Sequence, residues 1–404
     1  MLTNSFFQCR ALRYDGEDPY RRTPALTRSP HSLAPAASTP QALATVTDRR
    51  FFEHLRRNGP SSRAAIAAAA GLSKPTASEA ATRLTEAGLI SETGQSAGPR
   101  GRTAAIYDIA PGYGHTLAVA VTTGRAQLRA TDLRGSVVGD YQVSSGTPQT
   151  RDQLESALSG LFAEYRRDVS TPCLAAGISQ ANPVEAAGQA VLSLPNAPFP
   201  EGQWNLSERF LGDCRGPVRV DNDVNWAALA ERESGAMRGV EDFLMVYVGA
   251  GIGASLVMGG EVRRGSHGIA GEIAYLRQNG RSLMERLLDL GITTAGGLSL
   301  DMDRYRGLFT EQPDSPAADD FLELLGEAIG NTATLSDPAA VVLSGPLVDC
   351  PAFVDRLRVI LMPHLLDSST LVTVSDLGTE GPLAGASLHA RDAAVEGIWA
   401  EYRR

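Results

Sequence analysis

Twice along this chain, β-like runs broken at glycine give way to an amphipathic helix and then to a further strand. The first occurrence begins with "GHTLAVAVTTGRAQLRATDLRGSVVGDYQV", a succession of β runs separated by glycine-containing turns. The helix "RDQLESALSGLFAEYRRD" follows, then "PCLAAGISQANPV", a strand leading into a loop, then "PVRVDNDVNWAALAERESG", strand into helix. The second occurrence opens with the hairpin "EDFLMVYVGAGIGASLVMGGEVRRG" and returns at "AAVVLSGPLVD" as strand, turn and helix. Mixed sheets with intervening helices, occurring twice, fit a two-lobed α/β body with a cleft between the lobes. At 404 residues and 43% hydrophobic, the chain can bury large cores and hold more than one domain.

The pattern ahead of the body is different. Residues 1–42 hold Arg, Pro, Ser, Thr and Ala with little periodicity and read as a flexible tail. In residues 43–110, Val46, Phe51, Phe52 and Leu55 lie near helical spacing and the run stops at Asn58-Gly59. A second short helix follows, with Ser61 or Ser62 as N-cap and Gly71 as stop. A third is capped by Ser73, carries Pro75 in its first turn and ends at Gly88. The short break "AGLS" is the turn of a helix-turn-helix, and "LISETGQSAGPRGRTAAIYDI" is the wing of a winged helix. Ser73, Lys74, Thr76 and Ser78 open the third helix with side chains able to reach phosphates and base edges. Lys74 is the only lysine in the chain, and Arg100 and Arg102 sit at the wing tip among glycines, suited to a phosphate or the minor groove. Charge divides the same way: residues 1–110 carry 14 basic against 9 acidic side chains, the remainder 23 against 37. A basic N-terminal part on an acidic body suggests a nucleic-acid module, with a solvated basic surface fitting the charge alone equally well; helix-turn-helix and wing together make double-stranded DNA the expected partner. A small helical protein-interaction domain is the competing reading.

Several classes are excluded. No apolar run approaches the ~18 residues of a membrane span, and the N-terminus lacks the apolar core and cleavage site of a signal peptide. Cys9, Cys173, Cys214 and Cys350 are scattered without a CxxC pair, which argues against a zinc cluster or a disulfide framework and favours the cytoplasm.

Within the body, "VDNDVNWAALAE" places Asp221, Asn222, Asp223 and Asn225 at a strand tip entering a helix. Such a tip presents a catalytic base or holds a ligand by its hydroxyls. "VYVGAGIGASLVMGG" lets the backbone approach an anion at Gly249, Gly251 and Gly253. Its order is strand–turn–strand, so it is not a dinucleotide fingerprint, and taken alone a tight hairpin is the better reading.

These two motifs, with "GSHGIAGEIAYL", "VVLSGPL" and "LGTEGPLAGASLHA", occur in order and resemble the ROK family of repressors, open reading frames and sugar kinases. The resemblance covers residues 45 to 400 and implies an actin-like ATPase (ribonuclease H-like) fold over residues 111–404. A winged helix ahead of that body implies a sugar-responsive transcriptional regulator. In the family's pattern Asp223 matches the kinase base, while Asn222, Glu272 and Glu285 match residues that hold sugar hydroxyls. Asn196, in "LPNAPFPEGQW", falls in a loop lining the same pocket, and fixed carboxylates and amides suit a polyol. Trp204 and Trp226 border that pocket or belong to the core. His31, His54, His115, His364 and His389 are isolated and read as surface or packing residues.

Two departures bear on activity. Ala120 stands where the family's phosphate-loop aspartate belongs, followed by Thr122-Thr123-Gly124, so magnesium–ATP loses an anchor. Tyr275 replaces the family's metal-binding histidine, and "LRQNGRSLMERLLDLG" has no cysteine, so His267 is left without partners for tetrahedral zinc. Neither zinc nor ATP is therefore expected as a cofactor. The expectation is a non-enzymatic DNA-binding regulator, a repressor acting on an inverted repeat as a homodimer or tetramer, controlled by a sugar or sugar derivative. A carbohydrate kinase and a regulator that has lost sugar binding are the alternatives.

Overall fold

The computed structural model describes residues 40–97, 103–122, 125–144, 151–185, 190–192, 194, 205–294 and 299–402. The flexible-tail reading therefore falls almost wholly outside the described residues, as do Arg100, Arg102, Asn196 and Trp204.

The chain opens with α1 (Pro40–Asn58), α2 (Arg63–Ala70) and α3 (Lys74–Glu86). Helix α1 starts earlier than the Val46 of the sequence reading, because Pro40 serves as a first-turn residue whose missing N–H costs nothing. Val46 is 52% exposed, so the buried stripe of α1 begins at Asp48 and runs through Phe51, Phe52 and Leu55. Ser62 caps α2 by accepting the Ala65 N–H, and Gly71 ends it in the left-handed conformation that favours glycine. Ser73 caps α3 by accepting the Thr76 N–H at 3.2 Å. The wing is an antiparallel pair, β2 (Ile90–Ala97) and β3 (Thr103–Ile109), with the two-residue β1 (Ser61–Ser62) on the far edge of β3.

Two five-stranded sheets follow, and they share one topology. The first contains β4 (His115–Thr122), β5 (Arg125–Thr131), β6 (Val137–Ser144), β7 (Cys173–Gln180) and β8 (Val218–Asn222), in the order β6-β5-β4-β7-β8. The second contains β9 (Phe243–Val248), β10 (Ile252–Met258), β11 (Glu261–Val262), β14 (Ala340–Ser344) and β15 (Leu371–Val374), in the order β11-β10-β9-β14-β15. The short hairpin of β12 (Arg277–Gln278) and β13 (Arg281–Ser282) and the helices α5 (Leu206–Phe210) and α8 (Met302–Thr310) lie outside the two sheets. In both, an antiparallel meander is followed by two strands added in parallel. Parallel addition requires crossovers, and these are supplied in the first lobe by α4 (Arg151–Asp168), at the bounds its amphipathic pattern gives, and in the second by α9 (Pro316–Ser336) and α10 (Pro351–Leu361).

Each lobe has its own core. Leu154, Leu158, Leu161 and Phe162 of α4 pack on β4, β5 and β7, whereas Phe321, Leu325 and Ile329 of α9 pack beneath β9 and β14. His115 is buried in the first lobe with Thr171 at 2.9 Å and Tyr165 at 2.7 Å, and burial depresses its imidazole pKa, the reading of a packing residue.

The last strand of each lobe runs into a helix that packs on the other lobe. Helix α6 (Asp223–Ser234) leaves β8 and buries Val224, Ala227 and Ala228 against Phe243, Met245 and Val257. Helix α11 (Gly381–Tyr402) follows β15 and buries Leu383 and Ala386 against Ala118 and Ala120 of β4. The two helices meet where Gly385 lies against the Trp226 carbonyl, an approach only a glycine permits, and Gly177 receives the Ala386 carbonyl in the same way. Trp226 is fully buried at this crossing and donates its indole N–H to the Ile178 carbonyl at 2.9 Å, so it is a core residue.

Candidate functional site

The polar tip at the end of β8 divides its labour. Asp221 is 2% exposed and faces away from the cleft; it accepts from the Asn222 N–H, from Asn225 Nδ2 at 3.0 Å and from Arg264 Nε at 2.7 Å. Asn225 in turn accepts from Ser255 Oγ at 2.8 Å, tying the tip to β10. Asn222 is the N-cap of α6: its Oδ1 accepts the N–H groups of Val224 and Asn225, and its Nδ2 donates to the Asn182 carbonyl at 3.2 Å. One N–H of that amide is left over for a ligand. Asp223 takes the first helical position and is 9% exposed, with the Val224 N–H at 2.9 Å.

Asp223 and Glu272 face one cleft of about 590 Å³, together with Asn222. Burial pushes the Asp223 carboxyl up to about 7. The Glu272 carboxyl is also pushed up to about 7, first by burial and then by the charge of Asp223. Near neutral pH both groups therefore exist in protonated and ionised forms, and each can donate to or accept from a hydroxyl. Tyr247 completes this corner; burial, with a lesser push from Asp223, raises its phenol.

Beyond the carboxylates the walls are apolar: Ile252, Ala254, Ala274, Met284, Leu288 and Met302. Arg125, Gln127 and Arg277 also line the cleft and escape a reading based on motifs, since single arginines and glutamines on short strands carry no spacing signal. Glu285 lines the cleft too, but its carboxylate is occupied. It accepts the Ser282 N–H at 2.7 Å while Ser282 Oγ accepts the Glu285 N–H, a capping box at the start of α7 (Leu283–Leu288). Its primary work is local, and the hydrogen-bonded cap draws its pKa down. The Ser–x–x–Glu spacing was visible in the sequence and carries that signal.

On the phosphate side, Ala120 is 4% exposed on β4 beside Gln127 of β5 and Ser179 of β7. No carboxylate occupies that register. The β9–β10 turn does bring Ala250, Gly251 and Gly253 to the cleft wall.

The donor set does not fit a family-type zinc site. Tyr275 stands in a single 3-10 turn (Ile273–Tyr275), and His267 is exposed. Cys173 and Cys214 lie against each other at 3.1 Å in the first lobe, and Cys350 packs beside the Phe309 carbonyl.

The second candidate surface is the start of α3. Ser73, Lys74 and Pro75 are exposed, with Thr76 and Ser78 half-buried on the same turn pair. Ser73 and Thr76 share a hydroxyl–hydroxyl hydrogen bond at 2.7 Å, so part of their capacity serves the cap, whereas Lys74 projects freely into solvent. The buried face of this domain, Ala77, Ala80, Ala81 and Leu84, packs in one core with Val395, Ile398 and Trp399 of α11.

The structure thus joins a two-lobed body of two like sheets to a winged helix-turn-helix head. The family model "ROK family" matches residues 116–283 and "Winged helix-turn-helix DNA-binding" matches residues 46–91, so the chain carries a ROK family domain behind an N-terminal winged helix-turn-helix. It is 26% identical over 319 residues to a glucokinase of Streptomyces coelicolor, covering 68% of this chain and 98% of that protein. It is 23% identical over 235 residues to the xylose repressor of Bacillus subtilis, covering 57% of this chain and 60% of the repressor. Its fold is similar to the crystal structure of a ROK family transcriptional regulator, a homologue of the E. coli MLC protein, with a TM-score of 0.61 and 19% identity over 89% of this chain and 99% of that one. Relatives thus include both kinases and repressors. No helix among the described residues is long and apolar enough to cross a membrane.

Proposed function

We propose that this protein is a DNA-binding transcriptional regulator, a repressor, whose cleft binds a sugar or sugar derivative and whose DNA affinity changes on binding. The observation that carries this reading is the presence on one chain of an exposed Lys74-bearing recognition helix and a cleft faced by Asn222, Asp223 and Glu272. Asn222, Asp223 and Glu272 converging on a cavity walled by apolar side chains, with Arg125, Gln127 and Arg277 also in its lining, suit a small polyol. A dimer or tetramer would present paired recognition helices to an inverted repeat, and ligand would shift the population between two spacings. Asn196, Arg100 and Arg102 are retained as candidate contacts by their motif positions.

Kinase activity is not part of this reading. Phosphoryl transfer rests on positioning and charge neutralisation, and Ala120 offers neither for a magnesium–nucleotide. Tyr275 in place of the family's metal-binding histidine, with His267 exposed and no cysteine in residues 276–291, likewise supports a body without that metal.

The test is gel-shift titration of the purified protein against the DNA upstream of its own locus at low salt, with and without a panel of sugars and phosphosugars. Ligand-sensitive retardation of an inverted-repeat fragment is expected, and no binding to any such fragment would sink the proposal. A carbohydrate kinase is the second reading, favoured by the buried Asp223 and the glycine hairpin. Sugar-dependent ATP turnover that is abolished by Asp223→Asn would establish it instead.

A further inference from the structure

Helix α11 reaches both candidate surfaces. At 22 residues it spans about 33 Å. Near its first turn, Thr379 and Pro382 line the ligand cleft. Gly381 and Gly385 then press on Ala227 and Trp226 of α6, the helix whose first residue is Asp223. His389 packs against the Trp226 indole with ring centroids 5.1 Å apart and the ring planes tilted by 44°. Glu231 of α6, fully buried, accepts from Ser375 Oγ and from the Leu377 N–H at 2.9 Å, fixing the segment that leads into α11. Helices α6 and α11 are thereby locked together next to the ligand residues.

The far end of α11 enters the DNA-binding head. Trp399 meets Phe52 of α1 edge to face at 5.6 Å, and Glu396 pairs with Arg49. Asp48 of α1, 1% exposed, accepts Arg83 Nε at 2.9 Å and Nη2 at 2.6 Å, and it also accepts the Tyr402 hydroxyl at 2.9 Å. One buried carboxylate thus joins α1, the recognition helix α3 and the end of α11. A carboxylate in that position cannot lose a donor cheaply, so movement of any one helix is felt by the other two.

We propose that α6 and α11 form a rigid relay that carries the state of the cleft to the recognition helix, with the Asp48–Arg83–Tyr402 junction as its output end. The relay rests on the reading of the chain as a ligand-controlled DNA-binding protein and names its route of control. Coupling between distant sites needs a packed element whose position both sites bias, and α11 is in contact with both.

Hydrogen–deuterium exchange on the full chain tests it without knowledge of the ligand. Gly385→Ala places a methyl group against the Trp226 carbonyl and shifts α11 on α6 beside the cleft. Tyr402→Phe removes one donor from Asp48 and leaves the Arg83 pair intact. Gly385→Ala is expected to change amide exchange in Lys74–Glu86 by roughly two- to thirtyfold, and by much less when combined with Tyr402→Phe. A change confined to α6 and α11, or one of equal size in both backgrounds, overturns the relay. Should Gly385→Ala fail to fold, Glu231→Gln loosens the same end and takes its place. A duplex selected by the wild-type protein from a random-sequence pool forms a separate arm: if none is selected, the DNA-binding reading fails, while the exchange result still decides the relay.

Discussion

The two lobes have the same strand order, yet only one of them offers its last strand tip to a ligand. In the first lobe, β8 ends in Asn222-Asp223 facing the cleft, with Asp221 behind them held by Arg264 and Asn225. In the second, the equivalent tip after β15 is Ser375-Asp376-Leu377, and its donors are taken by Glu231. A duplicated frame therefore holds one open tip and one closed tip, and the closed tip steadies the helix that follows it. Identical topology does not give identical chemistry; side chains at equivalent corners decide which corner is a site.

The comparison breaks most severely at the crossing itself. Trp226→Ala removes the side chain that separates α6, α11 and β7 and leaves the Ile178 carbonyl without its donor, so a loss of about 3–5 kcal/mol is expected in urea unfolding. A loss below about 1 kcal/mol would mean that the lobes do not depend on this contact. Glu231→Ala opens the closed tip, leaving the Ser375 and Leu377 donors unpaired at a cost of about 2–3 kcal/mol. Asn222→Ala at the open tip loses an N-cap and the donor to the Asn182 carbonyl, about 1–2 kcal/mol, so the order of the two effects checks the asymmetry.

A smaller effect separates the tips by pH. Asp223 and Glu272 have folded-state pKa values of about 7, above their ordinary ones, so the unfolded chain ionises first as pH rises. Their contribution favours the fold below pH ~4 and is lost progressively up to pH ~7. Replacing Asp223 with Asn should therefore raise the urea midpoint more at pH 8 than at pH 4. An unchanged difference would show that Asp223 is solvated, contrary to its burial. The smallest effect is on the DNA side: Lys74→Ala should weaken duplex binding uniformly and reduce the salt slope by about one. Titration of affinity against salt concentration reads this directly.

Much of the frame was legible. The bounds of α4, the caps at Ser62 and Ser73 and the hairpin at Gly249–Gly253 all rest on local chemistry that one stretch of chain carries by itself. The site was legible where a polar tip stood out, at Asn222, Asp223 and Glu272. The distinction between Asp221 and Asp223 was not, because it depends on Arg264, which lies 43 residues away on another element. Glu231 closes the same motif, but its role could not be read there, since its partners come from a segment more than 140 residues later. Glu285 lines the cleft, and its Ser–x–x–Glu context also gives it a capping role through one carboxylate oxygen, which the family resemblance does not indicate. The crossing of α6 and α11 turns on Gly381 and Gly385, and a glycine does not announce what presses against it.

The position of Lys74 has a practical consequence. Every other basic side chain of residue type Lys or Arg is a guanidinium, so the chain carries a single side-chain amine, and it stands exposed at the first position of the recognition helix. An amine-reactive fluorophore would therefore report from the edge of the proposed groove contact, and acetylation of that one amine would erase a positive charge where the DNA backbone is expected to lie.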